Sequence, residues 1–252
     1  RMDFAVTEES GTTNGKFTSG SGDLTFAMSA ENMTYTVKGT ELKVDLTGPE
    51  LPLPINAEIA ETGFSMAMPL KKSDTPQNAS LEVVLGGFQM AETLWNVFDP
   101  TAKLPRDPAT IRVALDAKVT PLIDLVDPEA MAMVEMESVP PAELNALTLR
   151  ELVIDAVGGT ILGSGAFTFD NSDLDSFDGF PRPEGKLDVS VIGANALIDK
   201  LIEMGLMAEE DAMGARMMMG MMTVPGPEPD TATSTIVIND QGHILANGQR
   251  LK

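Results

Sequence analysis

The first 85 residues are a succession of short segments in which apolar and polar side chains alternate, punctuated by turn-forming residues. A period of two puts every second side chain on one face of an extended strand. Residues 2–6, 24–28, 33–37, 42–46, 55–59, 64–68 and 81–85 all read this way. Asn14-Gly15 predicts a two-residue hairpin turn, and Pro49, Pro52 and Pro54 break the ladder as at an edge or crossover. Strands this short and regularly spaced imply a large antiparallel sheet.

After residue 85 the period changes. Over residues 88–98, Phe88, Ala91, Leu94, Trp95 and Phe98 share one face of a predicted helix, which Asp99-Pro100 ends. Residues 111–119 alternate again and stop at Thr120-Pro121, a start signal for a short helical turn over 122–126. Asp127-Pro128 repeats that signal for a helix through about Met136, closed by Pro140-Pro141. A long hairpin follows over 147–156 and 160–170, turning at Gly158-Gly159, with Leu152, Ile154 and Ala156 sharing a face and Phe167 and Phe169 sharing a face. Residues 171–179 are an Asp/Ser-rich loop.

The strand at 187–191 runs through Gly193 into an amphipathic helix ending at Gly205. Ala194, Leu197, Ile198, Leu201 and Ile202 form its apolar stripe, with Asp199, Lys200 and Glu203 opposite. A second helix over about 208–222, a Pro-rich turn at 225–229 and a hairpin of 235–238 with 243–246 complete the pattern, and Asn247-Gly248 bends the tail. Comparable strand-to-helix steps occur at 81–98 and 113–126. Their spacings differ, so they amount to weak internal similarity and not a repeat.

The whole chain, 1–252, reads as a single elongated β-rich domain, with a possible sub-division into 1–140 and 141–252. Its first residue is Arg1, so it is expected to be processed or the C-terminal part of a longer protein, with a targeting segment or anchor upstream. The 17 basic against 38 acidic residues leave a net charge of −21, which repels phosphate backbones and anionic headgroups. Nucleic acid is therefore not an expected partner, and a membrane only through an anchor absent from this chain. Such acidity could attract cations or basic partners, but a solubility adaptation is the better reading. With no Cys there is neither a thiol nucleophile nor a disulfide. No apolar run is long enough to be a transmembrane helix.

Candidate chemistry is sparse. His243, the one histidine, has no acidic cluster beside it and reads as a surface residue on a strand. Ser164 lies in Leu162-Gly163-Ser164-Gly165-Ala166, which lacks the glycines of a nucleophile elbow. Asp170, Asp173, Asp175 and Asp178 could offer oxygens to Ca²⁺. Aligned to a calcium loop, however, Phe177 occupies a ligand position and Gly179 comes one residue late, so a solvated turn is the better reading. No metal or cofactor is expected. Met213, Met217, Met218, Met219, Met221 and Met222 form the oddest cluster: a core or lid helix, an adaptable ligand-contacting surface, or least of all a Cu(I) site.

One resemblance runs through the second half of the chain. Gly158-Gly159, Gly165-Ala166-Phe167-Thr168-Phe169-Asp170 and Gly185-Lys186-Leu187-Asp188-Val189-Ser190-Val191 come first. Ala196-Leu197-Ile198 to Leu201, Gly205-Leu206 and Gly242-His243-Ile244-Leu245-Ala246-Asn247-Gly248-Gln249 follow in order. Together they resemble an alphaproteobacterial domain-of-unknown-function family (number twenty-one twenty-five). That family is similar to AsmA-like envelope proteins, which are associated with lipid movement along a β-lined groove. The resemblance implies a periplasmic location, an N-terminal anchor and an elongated sheet with helices against it. It carries over no catalytic residue.

These readings converge on an α+β, mainly β fold: a large, strongly twisted antiparallel sheet with three or four helices packed on its concave face. The expected function is non-enzymatic binding of an apolar ligand, such as a lipid chain, between sheet and helices. Phe88, Trp95, Phe98, Leu201, Met217 and Met218 are the candidate lining. The alternative is a structural or interaction protein of the envelope, holding a protein partner through sheet edges or the Met-rich helix.

Overall fold

A computed structural model of the chain describes residues 2–8, 11–135 and 140–251; Arg1 and Met136 lie outside them. Among the described residues it is mainly β, a single open antiparallel sheet of 14 strands with four helices. In chain order the elements are β1 (Met2–Glu8), β2 (Gly11–Thr18), β3 (Ser21–Met28), β4 (Asn32–Thr47), β5 (Ile55–Pro69), β6 (Gln77–Met90) and α1 (Glu92–Phe98). Then come β7 (Ala109–Pro121), α2 (Pro128–Glu135), β8 (Ala142–Ala156), β9 (Gly159–Asp170), β10 (Arg182–Ile192), α3 (Ala194–Glu203) and α4 (Glu209–Met222). The last strands are β11 (Val224–Pro225), β12 (Thr231–Ile238), β13 (Ile244–Ala246) and β14 (Gln249–Arg250).

From β4 to β10 each strand pairs with the next in sequence, so the sheet is a meander. β2 and β3 lie end to end along one side of β4, and β11 and β13 do the same along β12. The helices interrupt connections between neighbouring strands: α1 between β6 and β7, α2 between β7 and β8, α3 and α4 between β10 and β12. Successive connections of a meander alternate between its two ends. This places α1, α3 and α4 at one end and α2 at the other.

Several short predicted segments fuse. Residues 33–37 and 42–46 are one strand, β4, carried past an irregularity at Glu41, whose φ is 52°. The predicted turn at Asn14-Gly15 does not form: both residues sit inside β2, opposite Ala5 and Phe4. The Phe4 ring lies over the bare Gly15 backbone, where a β-carbon would come within 2.1 Å of it. Phe88 belongs to β6 and not to a helix, and α1 starts only at Glu92. The helical turn expected over 122–126 is also absent, because its backbone donors pair elsewhere. Leu122 N–H goes to the Pro141 carbonyl and Leu125 N–H to that of Leu70.

The strand-to-helix step at β10–α3 forms as its sequence indicates. Gly193 holds φ 76°, and a side chain there would meet the Gly158 carbonyl at 2.3 Å. No side chain of the Gly193 position caps the helix, so Asp230 does it from a distance, accepting the N–H groups of Asn195 and Ala196. At the far end Gly205, at φ 71°, closes α3 with bonds from Gly205 N–H to Ile202 and from Leu206 N–H to Leu201.

Candidate functional site

Directly paired residues in a sheet share a face, so the register decides what each face carries. Across the centre, Phe64, Val83, Val113, Leu152, Gly163, Val189 and Ser234 lie in one row. The adjacent row on the same side reads Tyr35, Met66, Leu81, Leu115, Leu149, Gly165, Leu187 and Ile236. Toward the N-terminal margin the face continues through Phe26, Met28 and Val37. One face of the sheet is therefore mainly apolar from margin to margin, with isolated polar side chains such as Thr62 and Ser234. Where a glycine would leave a notch, a neighbour lies across it: Leu152 over Gly163 and Phe167 over Gly185.

Two devices keep this face in phase. Between Leu149 and Leu152 the register shifts by a bulge that absorbs one extra residue, so both leucines stay on the apolar side. Between Leu85 and Phe88 a second irregularity, with Gly87 at φ 66°, returns Phe88 to the same face opposite Ile59.

The opposite face is mainly polar, and many of its side chains pair with one another. Lys43–Glu58, Arg112–Glu61, Arg150–Asp116 and Lys186–Asp188 are ion pairs at 2.7–2.9 Å. Thr36 and Ser65 bond across strands at 3.0 Å. The Thr235 hydroxyl, donating to Asp188, is the main cause of that carboxyl's pKa lying below the ordinary aspartate value, with Lys186 adding to it. A cleft of about 450 Å³ over this face is lined by polar and apolar side chains alike, among them Glu151, Val153, Leu162, Ser164, Asp188 and Thr235. Ser164 stands there in register with Asp188, whereas His243 precedes β13 beyond the end of β12. The two are not brought together.

The apolar face has few such partners. Most of its side chains are half-exposed, and the buried apolar residues among those described are scattered: Leu70, Val84, Ala114, Ile123, Ala212 and Ala246. Val84 and Ala114 are on the polar side of their strands. The accessible surface is 15279 Å². A compact monomer of 26.8 kDa would expose about 10,800 Å². An excess of that size fits a sheet with a face left open.

Two helices lie on the apolar face at one end of it. A β-carbon on Gly159 would meet the Leu197 side chain of α3 at 3.4 Å. The Ser234 hydroxyl donates to the Met222 carbonyl at the end of α4. Arg216 of α4 reaches back to Asp199 and Asn195 of α3, and a groove of about 590 Å³ lies between the pair, beside Ile202, Glu203 and Met213. Lys103, after α1, pairs with Glu203 at 2.7 Å, and that bond raises the lysine pKa.

The sequence-predicted lining residues are distributed over these parts. Phe88 is on the apolar sheet face. Trp95 is half-buried beneath the Arg106 guanidinium, 5.7 Å from its ring, and Arg106 also pairs with Glu92. Asp99, fully buried, holds the same loop. Burial alone would raise its carboxyl, but the N–H groups of Lys103 and Leu104 outweigh that and hold it low. Leu201 is half-buried in α3, while Phe98, Met217 and Met218 are 62, 65 and 61% exposed. Alternation placed residues such as Leu81, Val113, Leu149 and Leu187 within strands. Only the pairing shows that they line one surface.

The acidic loop after β9 is committed internally. Asp170 accepts the hydroxyl and N–H of Ser172, Asp173 those of Ser176, and both pair with Arg182 at 3.0–3.1 Å. The serine bonds lead in lowering both carboxyl pKa values, and the bond to Asp170 leads in raising that of Arg182.

Residues 3–247 match the family described as "Uncharacterized protein conserved in bacteria (DUF2125)". The chain belongs to the DUF2125 family. No curated protein and no solved structure matches it. The DUF2125 match takes in nearly the whole sheet, both margins of the apolar face and all four helices. Among the described residues, no helix is long and apolar enough to cross a membrane.

Proposed function

We propose that this protein is a non-enzymatic carrier or holder of an apolar ligand, a lipid acyl chain being the best fit, and that the ligand lies along the apolar face of the sheet toward α3 and α4. The observation that supports this most is a sheet face that is apolar almost throughout, beside a mainly polar one. Large contiguous apolar surfaces are covered by something in a working protein, and burying methylenes there contributes about 0.8 kcal/mol each. Phe88 would contact the ligand from the sheet, with Leu201 and the Met217–Met218 segment closing one end. An envelope setting, periplasmic and AsmA-like, agrees with this reading.

Native mass spectrometry after gentle purification tests it. The protein should carry excess mass that organic solvent removes and that fragments as lipid. A protein that is ligand-free and takes up no added fatty acid or phospholipid would refute the proposal. The exposed methionine ridge of α4 favours a second reading, capture of an envelope protein. In that case Met217→Asp or Met221→Asp would abolish co-purification of one stoichiometric protein while leaving the fold intact.

A further inference from the structure

The two margins of the sheet are finished differently. On the C-terminal side, the outer edge of β12 is taken up by β11 and β13, strands of two and three residues, and β14 adds only two more. Pro225, Pro227 and Pro229 stand beside them. Short strands and prolines are the usual means of blunting an edge. On the N-terminal side β1 covers β2, but β3 pairs, among the described residues, with β4 alone. Its eight residues include no proline and no lysine. Leu24, Phe26 and Met28 are 66, 56 and 54% exposed and carry the apolar face to the margin.

We propose that β3 is a dimerisation edge, where a second copy of this chain adds its own β3 antiparallel and continues the apolar face across both copies. A two-fold axis perpendicular to the sheet through Thr25 keeps the two apolar faces on the same side. In that register Leu24 lies opposite the partner's Phe26, and Gly22 opposite the partner's Met28, which fills the space the glycine leaves. Thr25 meets the partner's Thr25, and Asp23 meets the partner's Ala27. These are favourable or neutral cross-strand pairs. Centring the axis on Asp23 would oppose two carboxylates, and a slip of one residue would set apolar against polar side chains. Two chains of charge −21 repel over most of their surface. β3, with one charge in eight residues, is a place where they can meet. The inference holds whatever the apolar face carries.

The chain has no cysteine, so Thr25→Cys is its lone thiol. Light scattering on the full chain should show a mass twice 26.8 kDa that halves on dilution. Mild oxidation should convert Thr25→Cys, but not Thr148→Cys in the middle of the polar face, into a covalent dimer. Leu24→Lys and Phe26→Lys, each at an exposed edge position, should weaken dimerisation at least tenfold with an unchanged circular dichroism spectrum. A monomer at every concentration would overturn the proposal. So would a dimer that survives both lysine substitutions or that fails to cross-link through Thr25→Cys.

Discussion

Val157 and Asn247 hold the same backbone conformation with unequal ease. Each has φ near 50° and precedes a glycine at 83°, the arrangement of a tight hairpin turn. Asparagine tolerates that region, whereas a β-branched residue there is strained. Val157→Asn should therefore stabilise the protein by about 1 kcal/mol, seen as a higher Tm. Asn247-Gly248 was legible in the sequence because its residues suit the turn. Val157-Gly158 is not legible, because valine does not suit the turn, and the Gly158-Gly159 signal points one residue late. Asn14-Gly15 carried the same signal without the turn, since the ring of Phe4 supplies the cover that keeps Gly15 in a strand. Carboxylates set the acid limit. Asp99, Asp170, Asp173, Asp188 and Asp230 all have pKa values lowered by folding. Their contribution is complete above the unfolded value of about 3.9 and is lost as pH falls through the folded values. Thermal melts from pH 5 to pH 3 should show a falling Tm, with a smaller fall in Asp99→Asn.

At the scale of elements, the loop after β9 has one keystone. Arg182 joins Asp170, Asp173 and the carbonyl of Asp240, tying the loop to the β12–β13 turn. Arg182→Ala should open residues 171–181 to limited proteolysis at a protease concentration that leaves the parent uncut, with the sheet retained. Strand periods and the α3 stripe were readable from sequence because local chemistry specifies them. Element ends were not readable where distant chain segments intervene. Residues 122–125 look helical, yet they donate to Leu70 and Pro141. Phe88 fits a helical stripe, yet its backbone is held in the sheet between Ile59 and Ala109.

For the molecule as a whole, the pattern of single strands gave mainly β architecture and an antiparallel sheet. It did not give the site. That a largely apolar face runs across the sheet depends on how strands pair and on bulges at Leu149–Leu152 and Leu85–Phe88, none of which alternation alone specifies. Of the helical residues expected to contact a ligand, Leu201, Met217 and Met218 belong to the helices at one end of that face, and Trp95 lies against Arg106 instead. An extended apolar surface has a distinctive energetic consequence: contact grows with ligand length. Affinity for a series of fatty acids should rise about fourfold per added CH₂, the equivalent of about 0.8 kcal/mol, with no plateau at short chains. Calorimetry or competition with a fluorescent fatty acid would show it.

The central claim is that an acyl chain lies on the apolar face, and photocrosslinking tests it most directly. A fatty acid carrying a diazirine along its chain would be irradiated with the protein and the adducts mapped by peptide sequencing. Adducts should fall on Leu81, Val113, Leu149, Leu187 and their neighbours in the same rows, and unlabelled fatty acid should suppress them. Adducts confined to polar-face residues such as Asp116, Thr148 and Ser164, or labelling that does not saturate, would contradict the account.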